Sequence, residues 1–305
     1  MLDRPLRGIL PVMATAFTAQ DSLDEAACRR IVAYNVEAGA AAIVTLGVAS
    51  EFWSLTEAER VDLARLTVDQ VAGAVPVIVG ASGTSAATAA VAARNAAAAG
   101  ADALMVMPPY LHRARPDLLD DYFRAVTTAA DLPIVLQNSS PPFGHDLDVA
   151  TIEALVHRYP AIRYVKEETR TSTHLTSALL DRLGDSLDGV IGGEGGRYMI
   201  QQHARGASAI MPTSIATERY VEIWRALERE EQGEARRAHA GLLPLINFFG
   251  LHGIEAYKEV LAMRGVVDWT RTRGTPFLAL DDLDRAELRR LVTDAGLGPV
   301  TIGVA

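Results

Sequence analysis

Short apolar runs without polar alternation recur along the chain at residues 8–13, 41–46, 75–79, 103–106, 133–136, 162–165, 187–191 and 207–211. A strand that is apolar on both faces is one covered on both faces, as in a parallel sheet clothed by helices. The longer stretches between the runs carry helix signals. Residues 24–38 predict a helix that stops at Gly39. Thr56 with Glu59 three residues on reads as a capping box that opens a helix to about residue 71. Thr84 or Ser85 caps an alanine-rich helix ending at Gly100, and Pro116 stands in the first turn of a helix over 116–129. Helices over 148–158, 173–183, 196–205 and 217–230 complete the series.

Strand and helix therefore alternate eight times at a spacing of roughly 25–30 residues, which predicts an α/β fold of the (β/α)8 TIM-barrel type. A doubly wound sheet would need a glycine-rich fingerprint after the first strand, and Pro11-Val-Met-Ala-Thr-Ala16 is not one. Helices over 234–249, 255–263 and 284–295 follow, so the expected organisation is a barrel over 1–230 and a C-terminal helical extension over 231–305. Asp281-Asp-Leu-Asp284 reads as the start of the last helix rather than as a metal site.

The composition narrows the classes. A chain of 305 residues with 49% hydrophobic and 22% charged positions buries a large core. A net charge of −9 without a Lys/Arg-rich run argues against a nucleic-acid surface. Cys28 is the only cysteine, which excludes a disulfide framework and a zinc cluster. Residues 1–5 lack the pattern of a signal peptide. The apolar stretches 38–46 and 86–99 are too short to span a bilayer, and Arg94 and Asn95 interrupt the second. A soluble cytoplasmic protein that does not engage a membrane is the expectation.

In barrels of this type the chemistry gathers at the C-terminal ends of the strands. The sixth run continues as Tyr164-Val-Lys-Glu-Glu168. Residues two apart on a strand share a face, so Tyr164, Lys166 and Glu168 point one way and Glu167 the other. A lysine inside a strand end, away from bulk water, is easier to hold neutral than a surface one. A neutral amine attacks a ketone and forms a Schiff base. The plainer reading is a lysine snorkelling at a strand end. The second run ends in Gly47-Val-Ala-Ser-Glu51, where backbone N–H groups beside small residues suit a carboxylate. The fourth ends in Met107-Pro-Pro-Tyr110 and the fifth in Gln137-Asn-Ser-Ser-Pro-Pro142. The seventh ends in Gly192-Gly-Glu-Gly-Gly196, with Glu194 expected on the strand beside Lys166. No Gly-Lys-Ser/Thr follows this run, so it is not a phosphate loop. His112, His145, His203 and His252 show no ligand spacing and read as surface or loop residues; His112, Arg113 and Arg115 after the fourth strand read as solvated loop charge, with contact to a distal substrate carboxylate as the alternative.

These motifs together resemble the dihydrodipicolinate synthase / N-acetylneuraminate lyase family of class I aldolases. The likeness covers nearly the whole chain. It rests on Gly47-x-x-x-Glu51 with Leu55-Thr56-x-x-Glu59 behind it, Pro108-x-Tyr110, Asn138, Lys166-Glu167 and Gly206-Ala-Ser-Ala-Ile210. The resemblance implies a Schiff base between Lys166 and a 2-keto acid, typically pyruvate. It also implies a homotetramer, substrate contacts from Gly47, Val48, Ala49, Ser50, Tyr110, Asn138 and Ile210, and no metal or organic cofactor. Three departures bear on the reaction. Val48 and Ala49 stand where the family carries hydroxyls for the keto-acid carboxylate. Gln137 stands where the family carries a proton-relaying tyrosine, and an amide cannot transfer a proton. Pro142 falls where the synthases carry an arginine for a second carboxylate, which argues against lysine biosynthesis.

A site without its relay needs a substitute, since general acid–base help is worth about 10²–10⁴-fold. Glu168 and Glu194 are the candidates, acting directly or through a water, because neighbouring carboxylates share protons and supply an acid and a base. Alternatively they are held by Arg170 or Arg197, or by a helix dipole. Lys-x-Glu together with Gly-Gly-Glu-Gly-Gly-Arg-Tyr looks like the 2-keto-3-deoxy-L-arabonate dehydratase branch. The first expectation is therefore a Schiff-base dehydratase of a 2-keto-3-deoxy sugar acid. The alternatives are a pyruvate-dependent aldolase or condensing enzyme, and a keto-acid-binding protein that has lost catalysis.

Overall fold

The computed structural model describes residues 2, 4–113, 115–274 and 278–302. Along the chain run β1 (Gly8–Ile9), α1 (Glu25–Glu37), β2 (Ile43–Thr45), α2 (Glu57–Val71), β3 (Val77–Gly80), α3 (Ala86–Ala98), β4 (Ala103–Val106) and α4 (Pro116–Ala129). They are followed by β5 (Ile134–Ser139), α5 (Val149–Arg158), β6 (Ile162–Glu168), α6 (Ser172–Leu183), β7 (Gly189–Gly192), α7 (Met199–Ala204) and β8 (Ala209–Ile210). Last come α8 (Thr217–Glu228), α9 (Gln232–Met263) and α10 (Asp282–Asp294). The chain forms two compact units, one of residues 1–10 and 76–211, the other of residues 11–75 and 212–305.

The first unit holds a parallel sheet in the order β3-β4-β5-β6-β7-β8-β1. Its strands are buried on both faces, as their unalternating apolar runs require. The helices that clothe it start at side-chain caps. Ser85 accepts from Thr88 N and Asp148 from Thr151 N, while Pro116 occupies the first turn of α4, where its missing N–H costs nothing. Leu119, Tyr122, Phe123 and Val126 form the buried stripe of α4 at helical spacing. The Tyr122 hydroxyl accepts from Gly83 N at 2.9 Å and donates to Met107 O at 3.0 Å, which ties the turns after β3 and β4 together.

In the second unit Val12 bridges in parallel to Val44 of β2 and to Thr213. The Thr56–Glu59 capping box opens α2. A helix break expected between 249 and 255 takes the form of a kink inside α9 at Gly253, whose φ of 57° only glycine adopts freely. Asp281 and Asp284 form a reciprocal capping box at the head of α10, so these acids are engaged in starting a helix. His252, expected at the surface, is instead buried in α9 with its ring 4.4 Å from that of Phe248. The unit also contains a buried charge cluster. Lys258 of α9 is ion-paired with Glu51, donates to Arg271 O at 2.6 Å and lies 4.4 Å from the Phe17 ring centre. Arg273 N donates to Glu51 at 2.8 Å and the Arg273 side chain forks onto Glu59. Among the described residues, no helix is long and apolar enough to cross a membrane.

Candidate active site

The pairing of β5, β6 and β7 creates two rows of side chains. Gln137, Lys166 and Ile191 are register partners, and the next row is Asn138, Glu167 and Gly192. Partners across a parallel sheet share a face, and successive rows alternate. Strand β6 runs to Glu168, three residues past the apolar run, because Ser139 still pairs with Glu168. Lys166 and Glu168 therefore stand on regular strand backbone, pointing the same way.

On that face Lys166 Nζ is 2.9 Å from Glu168 Oε2, and Gln137 Nε2 donates to Glu168 Oε1 at 2.5 Å. Lys166 and Gln137 are almost wholly buried. Glu168 thus takes contacts on both oxygens, and its ion-pair partner is Lys166 rather than Arg170 or Arg197.

Glu194 departs from expectation. It does not lie on β7, which ends at Gly192; it opens a short 3-10 turn with a left-handed φ of 52°. The reason lies one residue earlier. A Cβ at Gly193 would strike the Glu168 side chain, 2.5 Å from its Cβ, so the backbone bends around that carboxylate and only glycine fits. The turn brings Glu194 N to 3.4 Å from Glu168 Oε2, and Ser172 Oγ donates to Glu194 Oε2 at 3.4 Å. A non-glycine residue in the left-handed region is strain of the kind that clusters at functional sites. Burial, reinforced by the Glu168 charge and opposed by Arg197, pushes the Glu194 carboxyl up to about 7.

The helix-facing side is built differently. The Glu167 carboxylate accepts from Thr169 N at 2.9 Å, Thr169 Oγ1 at 2.5 Å and Asn138 Nδ2 at 2.8 Å. The Asn138 amide is also locked to Leu147, donating to its carbonyl and accepting from its N–H. Gln202 of α7 donates to Glu167 O at 3.3 Å. Burial pushes the Glu167 carboxyl up to about 7, against the pull of the Thr169 and Asn138 donors.

The structure thus brings Lys166, Glu168, Gln137 and Glu194 together. It puts Asn138 on the opposite face of β5, and it puts Ile210, the register partner of Gly192, in that same helix-facing row. Tyr110 is half-buried in the turn after β4. Gly47–Ser50 belong to the second unit, where residues 48–50 form a 3-10 turn after β2. The Ser50 hydroxyl is used inside that turn, donating to Met13 O at 2.6 Å and accepting from Gly47 N at 3.2 Å. The N–H groups of Val48 and Ala49 open the turn and have no partner within it. Arg115 forms an exposed pair with Asp117 at 2.8 Å. Ser172, Thr169 and the steric role of Gly193 escaped the sequence reading. The doubled glycines around Glu194 were the one available signal.

The model of the dihydrodipicolinate synthetase family matches residues 5–295. A 4-hydroxy-tetrahydrodipicolinate synthase of Acidobacterium capsulatum is 30% identical over 295 residues, which cover 96% of each chain. An L-2-keto-3-deoxyarabonate dehydratase of Azospirillum brasilense is 29% identical over 286 residues, 92% of each chain. Among solved structures, YagE of E. coli K12, a prophage protein of the dihydrodipicolinic acid synthase family in complex with pyruvate, superposes with a TM-score of 0.87. It is 26% identical, and the match covers 95% of this chain and 99% of that one.

Proposed function

Because this chain belongs to the dihydrodipicolinate synthetase family and is a (β/α)8-barrel lyase, we propose that it dehydrates a 2-keto-3-deoxy sugar acid bound as a Schiff base to Lys166. The observation that carries this reading is the carboxylate pair beside an amide. Gln137 cannot relay a proton, and the glutamate it touches, Glu168, lies beside Glu194 in different surroundings. Glu168 is held by donors on both oxygens, whereas Glu194 is a carboxyl pushed up to about 7 by burial. Two titratable groups whose environments part in this way make an acid and a base.

The steps follow from those roles. The Lys166 amine adds to the C2 ketone and water leaves, forming an iminium that draws electrons from C3. Glu168 removes a C3 proton. The electron pair forms the C3–C4 double bond as the C4–O bond breaks, and Glu194 protonates the departing hydroxyl, so water leaves. Hydrolysis of the imine frees Lys166 and the product. The enzyme is read as a cytoplasmic homotetramer on a small 2-keto acid, and sedimentation velocity at a single chain mass overturns the assembly.

The L-2-keto-3-deoxyarabonate dehydratase relative supports the dehydratase reading. A pyruvate-dependent aldolase is the second reading, favoured by the pyruvate held by the E. coli neighbour. Borohydride trapping with pyruvate, read by intact mass, tests the Schiff base. A ligand-sized mass gain that vanishes in Lys166→Ala is expected, and binding without mass gain refutes the amine chemistry. A panel of 2-keto-3-deoxy acids then separates the outcomes. Water loss without pyruvate supports dehydration, and pyruvate release selects the aldolase.

A further inference from the structure

We infer that Glu167, on the helix-facing side of β6, is a positioning residue that holds Lys166 and Glu168 in catalytic register by clamping the ends of β5 and β6. The inference rests on the Schiff-base reading of Lys166. Glu167 is fully buried on a face packed by helices, where its row is otherwise filled by Asn138, Gly192 and Ile210 and the preceding outward residue is Val165. A carboxylate there costs free energy that an apolar side chain would not. Its presence needs a reason, and its contacts supply one.

The carboxylate collects three donors from two places. Thr169 N and Oγ1 come from the turn that ends β6, and Asn138 Nδ2 comes from β5. Gln202 grips the backbone carbonyl of the same residue from α7. Glu167 lies between Lys166 and Glu168 in sequence. Fixing it from behind fixes the direction of both neighbours on the opposite face, one of them a nucleophile whose attack angle matters.

The clamp works with Glu167 ionised, above about pH 7, where it is a pure acceptor and where the trapping below is run. Asn138 cannot turn its amide over, because its Oδ1 accepts from Leu147 N at 2.8 Å and its Nδ2 donates to Leu147 O at 3.0 Å. The Nδ2 group therefore faces position 167, and Thr169 presents a backbone N–H to the other carboxylate oxygen. Either oxygen replaced by an NH2 meets a donor. Glu167→Gln preserves shape and still breaks the clamp, which makes glutamine a non-conservative substitution here.

The experiment is single-turnover trapping with pyruvate and borohydride, run on wild type, Glu167→Gln and Asn138→Ala over a range of pyruvate concentrations. In Glu167→Gln the saturating trapping rate should fall about tenfold, the equivalent of one lost hydrogen bond, with the half-saturating concentration within about threefold. Asn138→Ala removes one of the three donors and should lower the same rate about threefold, which keeps the test open if Glu167→Gln fails to fold. Wild-type trapping rates in folded variants, with only thermal stability reduced, overturn the positioning role. Absence of trapping in wild type itself would instead remove the Schiff-base reading, so the two failures are distinguishable.

Discussion

Glu168 accepts from three directions, from Lys166 Nζ, Gln137 Nε2 and Glu194 N, while Glu194 receives a single long bond from Ser172. Two chemically identical side chains thus sit in different surroundings, the arrangement the proposed acid–base pair requires. The consequence is a pH dependence with a definite sign. In its proposed role Glu194 is an acid only while protonated, and its carboxyl is pushed up to about 7 by burial and by Glu168. Dehydration should therefore decline as pH rises through about 7. Glu194→Gln should retain pyruvate trapping and lose about 10²–10³-fold in dehydration, since it deletes the acid and leaves the amine. A pH–rate profile and trapping on the same preparations check both. Turnover by Glu194→Gln at the wild-type rate would remove Glu194 from the chemistry.

At the scale of elements, α9 is tied by charge to the turn after β2. Lys258 of α9 and Glu51, in the turn after β2, form an ion pair with both side chains almost wholly inaccessible. Burial lowers the Lys258 pKa, and the Glu51 charge opposes that shift. Breaking a buried pair on one side leaves an uncompensated charge and costs about 3–5 kcal/mol. Lys258→Met should destabilise the protein by that order in urea unfolding. The double variant Lys258→Met, Glu51→Gln should recover part of the loss, because the neutral amide still accepts from Arg273 N. Additive losses in the double-mutant cycle would mean that the pair is not coupled. Glu51 adopts a left-handed φ of 54°, and the cluster holds it there.

Across the whole molecule, two buried carboxyls set a slope in stability. Glu167 and Glu194 are each pushed up to about 7, first by burial. Between the ordinary glutamate range and pH 7 the folded chain then binds more protons than the unfolded one, so stability falls as pH rises through that window and levels off above it. The opposite sign applies to Glu59, held at about 2 chiefly by its hydrogen bond from Arg273, whose contribution is lost only as pH falls toward that value. Denaturant midpoints measured from pH 5 to 8 should decline, and Glu167→Gln or Glu194→Gln should each flatten the decline. A rising midpoint over that range contradicts the assignment.

The amino-acid sequence alone set the alternation of strands and helices, the cap at Thr56 and the start of α4 at Pro116, because periodicity and capping are local physics; it left the α3 cap open between Thr84 and Ser85 and did not mark Asp148 as a cap. It also determined that Lys166 and Glu168 share a face opposite Glu167, since the period of two is a property of one strand. Tertiary structure alone decided that β5 and β6 pair past their apolar runs, which carries Gln137 onto Glu168 and sets Asn138 against Glu167. It decided too that Glu194 leaves the strand in a left-handed turn, because Gly193 must pass against the Glu168 side chain. A neighbour distant in sequence sets each of those outcomes, and no local pattern encodes how closely two strand ends approach.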